Sequence, residues 1–444
     1  MLKDTIVAIS TALQDGAISI IRLSGDDAIS IVNRLFNRDL TQVKSHTIHY
    51  GFFHDSITEK VVDEVLISVF RNPRSFTCED VVEIHCHGGI YITRRILSLC
   101  LACGARMAKP GEFTQRAFLN GRIDLTQAES IMDILEADNE KAASLAAAGI
   151  QGNIHRLLQP LIDDLLNLIA HIEVNIDYPE YDDVQQLTNE IILPQLEQFN
   201  QRLKELIHQA ESGRKIKKGV KTVILGKPNV GKSSLLNALL EEDKAIVTEV
   251  AGTTRDLIEG VIHLKQITLH LIDTAGIHNT SDRIEQMGID KTMQAVQEAE
   301  LILVVFDGSQ PMTQEDHQLI TLTENKNRIL ITNKEDLPLK SKEGIVISAR
   351  QGKIQPLIDE INHRYQQHVS IVENGVLNND RQIALAMRAF DSLQQALSAI
   401  HQQMELDLVA IDLQSCYQSL KEILGETTRE DLLDTLFSRF CLGK

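Results

Sequence analysis

Apolar positions recur along the chain in three successive rhythms. Up to about residue 118, short apolar runs separated by turns fall at 18–23 (ISIIRL), 61–70 (VVDEVLISVF) and 81–84. They predict an α+β domain, and Pro110–Gly111 marks a turn before a helical stretch. From about 119 to 212 the spacing becomes helical. Residues 126–150 are rich in Ala, Glu, Leu and Ile without proline, 157–176 repeats apolar residues at helical intervals, Tyr178–Pro179 interrupts, and a third helical run covers roughly 190–212. The next segment, RKIKKGVK (214–221), has five basic residues in eight and reads as a solvated hinge, with a contact to RNA phosphate as the alternative.

From 222 to about 370 short β-type runs alternate with helices: TVIL (222–225), TLHLID (268–273), LILVVFD (301–307), RILIT (328–332) and GIVIS (344–348). Their nearly continuous apolar character suits strands buried on both faces, and the alternation predicts a doubly wound, mostly parallel sheet. Residues 376–440 return to helical spacing. The α/β unit is therefore expected to be inserted between two helical halves that pack together as one discontinuous all-α domain.

Composition narrows the function classes. At about 150 residues per domain, 444 residues suggest roughly three domains. With 43% hydrophobic and 24% charged residues, a wholly disordered or collagen-like chain is excluded. Aromatics at 4% and the absence of Trp call for aliphatic cores. A net charge of −18 speaks against a general nucleic-acid coat, while leaving room for a local basic patch or an RNA complex held through a second protein. Six cysteines are too few for a disulfide framework. No run of 18 apolar residues is present and the start does not read as a secretory signal, so no membrane association and a cytoplasmic location are expected.

The chemistry is concentrated at strand ends. GKPNVGKS (226–233) fits G-x-x-x-x-G-K-[ST] between a strand and a helix. Its glycines let backbone N–H groups wrap phosphate oxygens, Lys232 is expected at the β- and γ-phosphates, and Ser233 on Mg²⁺. Asp273-Thr274-Ala275-Gly276 ends a strand; its Asp suits a Mg²⁺ water and its Gly N–H the γ-phosphate. Asn333-Lys334-Glu335-Asp336 ends another, and the Asp336 carboxylate can accept both the ring N–H and the amino group of guanine, a donor pair that adenine lacks. Ser348-Ala349 would support the same base, and Thr253-Thr254 supplies a hydroxyl for the Mg²⁺ shell. Together these elements specify guanine-nucleotide binding.

Catalysis needs a further source of charge and water placement. The position after DTAG is Ile277, which cannot orient water, and Arg255 is a candidate arginine finger. Asn229 with carbonyls of the 245–256 loop can cage a monovalent cation beside the phosphates, or Asn229 can be a plain turn residue.

GKPNVGKSS, TEVAGTTRD and DTAG resemble the corresponding segments of the tRNA-modification GTPase family MnmE (TrmE). So do DTIVAIS, PRSFTCEDVVEIHCHGG (73–89), KPGEFTQRAFLNGRIDLTQAE (109–129) and the terminal FCLGK, which other GTPases do not carry. The resemblance implies a tetrahydrofolate-binding, dimerising domain at 1–118, a helical domain at 119–215 and 376–444, and a Ras-like P-loop GTPase domain at 216–375. It implies a homodimer that joins a flavin-dependent partner, MnmG (GidA), in a heterotetramer, with FAD and NADH on that partner. The pair would build a carboxymethylaminomethyl or aminomethyl group on the wobble uridine of certain tRNAs, using 5,10-methylene- or 5-formyl-tetrahydrofolate and a K⁺-activated cycle of GTP hydrolysis and G-domain rearrangement.

Carried over by position, the resemblance puts K⁺ on Asn229, Thr248, Val250 and Thr253, and Mg²⁺ on Ser233 and Thr254. The nucleotide contacts extend to Val230, Gly231, Ser234, Glu249, Ala251, Gly252 and the strand-end residues above. The water-orienting glutamate matches Glu285, which otherwise reads as an exposed helical residue. Folate positions match Arg22, Glu83, Arg122 and Lys444; the family often has Lys where Arg122 stands, and the donor geometry differs. Cys441, on the terminal tail beside the folate, is implied in the modification chemistry. Cys100 and Cys103 lie in an apolar helical run and read as buried thiols, and His85 and His87 with Cys78 are discounted as a zinc set. The rival reading is a regulatory GTPase of ribosome assembly without folate chemistry; a second is a folate enzyme with a vestigial nucleotide domain.

Overall fold

The computed structural model describes residues 4–177, 189–242, 258–264, 267–272, 296–366, 375–427, 430–438, 440 and 443. The chain forms two compact units: 1–132 with 420–444, and 133–419.

The first unit is built on a six-stranded sheet in the order β3-β4-β5-β2-β1-β6, from β1 (Ile6–Ile9), β2 (Ile18–Ser24), β3 (Thr47–His54), β4 (Val61–Phe70), β5 (Val81–His87) and β6 (Arg106–Met107). All pairs are antiparallel except β1 with β6. One face buries Val65, Ile67, Val69, Val82 and Ile84 with residues of α1 (Ala28–Asn33) and α2 (Ile90–Ala102). The period of two sends the alternate positions outward, so Ile48, Tyr50, Phe52 and Leu66 are exposed on the opposite face. After α3 (Glu112–Leu119), the first turns of α4 (Leu125–Glu136) pack with α13 (Glu430–Phe437) through Ala117, Ile123, Leu125, Leu433, Phe437 and Phe440. Cys100 is fully buried, and burial pushes its thiol pKa up.

The run at 126–150 breaks into α4 and α5 (Glu140–Ile150), because the Asn139 side chain accepts from the Ala142 N–H at 2.8 Å and starts a new helix. Helices α6 (Asn153–Asp177) and α7 (Asn189–Lys218) precede the α/β unit; α11 (Asp380–His401) and α12 (Leu406–Leu424) follow it. The two sets meet: Gln394 Nε2 donates to Asn200 Oδ1 at 2.7 Å, and Gln414 Nε2 to Glu173 Oε1 at 3.1 Å. The basic segment differs from the hinge expected of it. Helix α7 continues through Lys218, with Arg214 and Lys218 on Asp380 and Lys217 on Asp133, so the cations close a helix end and the chain turns only at Gly219.

The α/β sheet runs β12-β11-β10-β7-β9-β8, from β7 (Val220–Leu225), β8 (Ile258–His263), β9 (Thr268–Ile272), β10 (Leu301–Asp307), β11 (Arg328–Asn333) and β12 (Ile345–Val346). Only β8 is antiparallel to its neighbour. Leu301, Leu303 and Val305 enter one core with α8 (Lys232–Glu242) and α10 (Gln355–Gln366); Ile302, Val304 and Phe306 enter the other, beside α9 (Gln314–Leu322). The GIVIS run contributes only two strand residues, and β9 stops at Ile272. Central β7 has β9 on one side and β10 on the other, so the order reverses there and a crevice opens at its carboxyl end. No described helix is long and apolar enough to cross a membrane.

Candidate functional site

The loop after β7 lies at that crevice. Gly226 has φ +155°, and a Cβ there would sit 2.5 Å from the Val305 carbonyl. Asn229 has φ +65°, which Asn tolerates better than most side chains. Val230 is buried in the core, while Asn229, Ser233 and Ser234 are exposed. The first turn of α8 thus presents backbone N–H groups and two hydroxyls to solvent, a setting that favours anions. Lys232 Nζ donates to the carbonyls of Gly226 and Lys227, both at 2.8 Å, and burial pulls its pKa below the ordinary lysine value.

The carboxyl ends of β11 and β12 come to the same edge. Asn333 is buried; its Nδ2 donates to the Val230 carbonyl at 2.9 Å, and its Oδ1 accepts from the Ala349 N–H at 3.0 Å. Gly231 approaches so closely that a Cβ would collide with this amide. Lys334 Nζ pairs with Asp307 Oδ2 at 2.7 Å. Asp336 is exposed, and its Oδ1 accepts from Ser348 Oγ at 2.7 Å, a bond that holds the carboxyl below its usual range. The edge therefore offers a phosphate-sized loop at one end and a guanine-compatible carboxylate at the other. Sequence reading gave no role to Asp307, whose position at the end of the LILVVFD run was the available signal.

The first unit gathers three of the four folate candidates. Arg22 on β2 lies opposite Glu83 on β5, with Arg22 Nε 2.9 Å and Nη2 2.8 Å from Glu83 Oε1. The Arg22 and Arg122 guanidinium carbons stand 5.8 and 4.9 Å from the centroid of the Phe76 ring. Gly443 O accepts from Ser10 Oγ at 3.3 Å and from Arg22 Nη1 at 3.5 Å, which brings the tail next to this cluster. Phe76 was not singled out from sequence. His87 is bound instead to Asp63, at 2.7 Å, which raises its pKa. Thr248, Glu249, Val250, Ala251, Gly252, Thr253, Thr254, Asp273, Thr274, Ala275, Gly276, Glu285, Cys441 and Lys444 lie outside the described residues, as do Arg255 and Ile277.

Comparison with known proteins bears on both units. Residues 5–122 match the family model for the GTP-binding protein TrmE N-terminus, and 125–441 match the MnmE helical domain. The chain is 47% identical to the tRNA modification GTPase MnmE of Lacticaseibacillus paracasei, covering 99% of this chain and 98% of that protein. The proteins of that name from Lactobacillus gasseri and Streptococcus pneumoniae are 47% and 45% identical, over 99% of this chain and 98% and 99% of theirs. Among solved structures, an Aquifex aeolicus Era aligns with 39% of this chain and 66% of its own at 25% identity and a TM-score of 0.25. The FeoB G domain of T. maritima aligns with 33% of this chain and 99% of its own at 25% identity and a TM-score of 0.23. Both family models and the relatives that match end to end lead to one conclusion: the chain belongs to the MnmE (TrmE) family of tRNA modification GTPases.

Proposed function

We propose that this chain is a K⁺-activated GTP hydrolase that works with a flavin-dependent partner of the MnmG (GidA) type, which carries FAD and NADH. Together they form the 5-carboxymethylaminomethyl or 5-aminomethyl group at the wobble uridine of certain tRNAs, with a one-carbon tetrahydrofolate as the carbon source. The carrying observation is the cluster of Arg22, Glu83, Arg122 and Phe76 on a separate sheet from the phosphate loop. A regulatory GTPase needs only the second of these. A pterin edge presents an amino group and a ring N–H to a carboxylate such as Glu83, the Phe76 ring offers a stacking face, and the guanidinium groups suit a glutamate tail.

In this reading 1–118 is the folate and dimerisation domain, 119–215 with 376–444 the helical domain, and 216–375 the G domain. The exposed apolar side chains of Ile48, Tyr50, Phe52 and Leu66 support a homodimer. At the nucleotide, Lys232 leaves its two carbonyl partners for the β- and γ-phosphates, Asp336 reads guanine, and Glu285 orients the attacking water. Ser233 and Thr254 hold Mg²⁺, and Asn229 with Thr248, Val250 and Thr253 holds K⁺. When bound, that cation supplies positive charge beside the phosphates, the task an arginine finger performs elsewhere. Hydrolysis drives a rearrangement of the G domains, Cys441 takes part in the modification chemistry, and the work is done in the cytoplasm.

The test is direct. The purified full chain should bind 5-formyltetrahydrofolate and hydrolyse GTP faster in KCl than in NaCl. A strain lacking it should lose the wobble-uridine group. GTP hydrolysis without folate binding and with intact wobble uridines would leave only the regulatory reading.

A further inference from the structure

We propose that Lys227 is a positioning residue for the nucleotide reaction: its ion pair with Asp316 anchors the front of the phosphate loop to the N-terminus of α9. The inference rests on the reading of the crevice as a nucleotide pocket.

Lys227 acts in two directions. Its main-chain carbonyl accepts from Lys232 Nζ at 2.8 Å, on the side where phosphates would lie. Its side chain runs away from that side, and its Nζ reaches Asp316 Oδ2 at 2.6 Å and Thr313 Oγ1 at 2.7 Å. Displacing the side chain therefore displaces the peptide that faces the catalytic lysine.

The burial of Asp316 makes the pair more than a helix cap. The residue is 3% exposed; its Oδ2 also accepts from the Thr313 N–H at 2.8 Å and Thr313 Oγ1 at 2.9 Å, and its Oδ1 has no hydrogen-bond partner among the described residues. A cap alone is satisfied by a neutral side chain such as Asn. A carboxylate this buried is costly to ionise unless charge and hydrogen bonds compensate it, and Lys227 supplies the charge. Burial pushes the Asp316 carboxyl up, but Lys227 and Thr313 outweigh it and hold it below the ordinary range. Within the loop it holds, the non-glycine Asn229 is kept at φ +65°.

Asp307, the last residue of β10, in turn anchors Lys334, two residues before the base-reading Asp336. One short segment, 307–316, thus braces the lysine at the phosphate end and the lysine at the base end. That juxtaposition gives the pair a reason to exist beyond stability: it sets the distance between the two grips on the nucleotide.

The test uses the full-length protein and the variants K227M, D316N, K227M/D316N and K227R. D316N keeps a capping oxygen and removes only the charge. GTP and GDP should bind about tenfold more weakly to K227M and to D316N. The double variant should be no worse than either single one, because each loss removes the same interaction. K227R should return affinity to within about threefold of the parent, since a guanidinium restores the cation. Preference for GTP over xanthosine triphosphate should not change in any variant. If K227M fails to fold around its uncompensated carboxylate, the double variant, with both charges gone, is scored instead. A folded double variant that binds GTP within about twofold of the parent, or single losses that add, overturns the proposal. A parent that does not bind GTP removes the nucleotide reading itself and is told apart by that result.

Discussion

The side-chain amide of Asn333 donates to the carbonyl of Val230 at 2.9 Å, so the strand end that carries the proposed base-binding carboxylate is tied directly to the glycine-rich loop after β7. The same side chain accepts from the Ala349 N–H at 3.0 Å and thereby joins three segments of the pocket edge. Asn333→Ala orphans the Ala349 N–H and the Val230 carbonyl. It should cost about 1–3 kcal/mol in nucleotide affinity, read by GDP titration, with a smaller loss of melting temperature. Unchanged GDP affinity in a folded variant would show that the tie is dispensable.

In the proposed reading Asp336 recognises the base, and the Ser348 hydroxyl donates to its Oδ1 at 2.7 Å. Asp336→Asn replaces a double acceptor by a group with one acceptor and one donor. GTP should bind about 10–100-fold more weakly and xanthosine triphosphate more tightly. Competition between the two triphosphates checks this, and an unaltered base preference refutes the assignment.

Potassium should accelerate hydrolysis and sodium should not. Asn229→Ala should flatten that difference, and Glu285→Ala should lower turnover by about 10²-fold or more while nucleotide titrations stay nearly unchanged. Equal rates in the two salts would remove the cation site; loss of binding in Glu285→Ala would give that residue a structural role instead.

On the other sheet, Arg22→Met and Glu83→Gln each break the pair that spans β2 and β5. Each should weaken 5-formyltetrahydrofolate binding by about tenfold or more, measured by calorimetry. Arg122→Lys, which keeps the cation, should bind at least as well as the parent. Full folate affinity in Glu83→Gln would move the site elsewhere.

A fifth expectation concerns acid. Arg116, 1% exposed, lies 2.8 Å from Asp4 and 3.1 Å from both Glu79 and Glu112. Arg106 hydrogen bonding holds Asp4 low; at Glu112 burial pushes upward, but Arg106, the Lys109 N–H and Arg116 prevail and hold it low as well. Both carboxyls are depressed on folding. Their stabilisation is therefore complete above the unfolded values of 3.8 and 4.5 and disappears as pH falls through the lower folded values. The parent should lose melting temperature steeply below about pH 4. Arg116→Met should cost about 3–5 kcal/mol at neutral pH and show a shallower acid slope. A variant that melts with the parent at pH 7 would contradict this.

Much of the architecture was legible because its signals are local. A run such as LILVVFD announces a strand buried on both faces, and positive φ at Gly226 and Gly231 follows from a loop that only glycine fits. The helical and α/β stretches followed from spacing alone, and GKPNVGKS, NKED and Ser348 do come just after β7, at the end of β11 and just after β12. The basic segment was misread as a hinge because its ion-pair partners, Asp133 and Asp380, are remote in sequence.

The remaining features depend on register and on packing between distant segments. Arg22 meets Glu83 because β2 pairs with β5 in one register out of several, and Arg122 lies over the ring of Phe76, 46 positions away in the sequence. Lys227 finds Asp316 across a crevice that exists only once β7 and β10 are neighbours. Apolar periodicity and backbone strain are properties of a few consecutive residues, so they can be read in order along a chain. A hydrogen bond or ion pair between residues a hundred positions apart depends on the whole set of strand pairings, and no short window of residues carries that information.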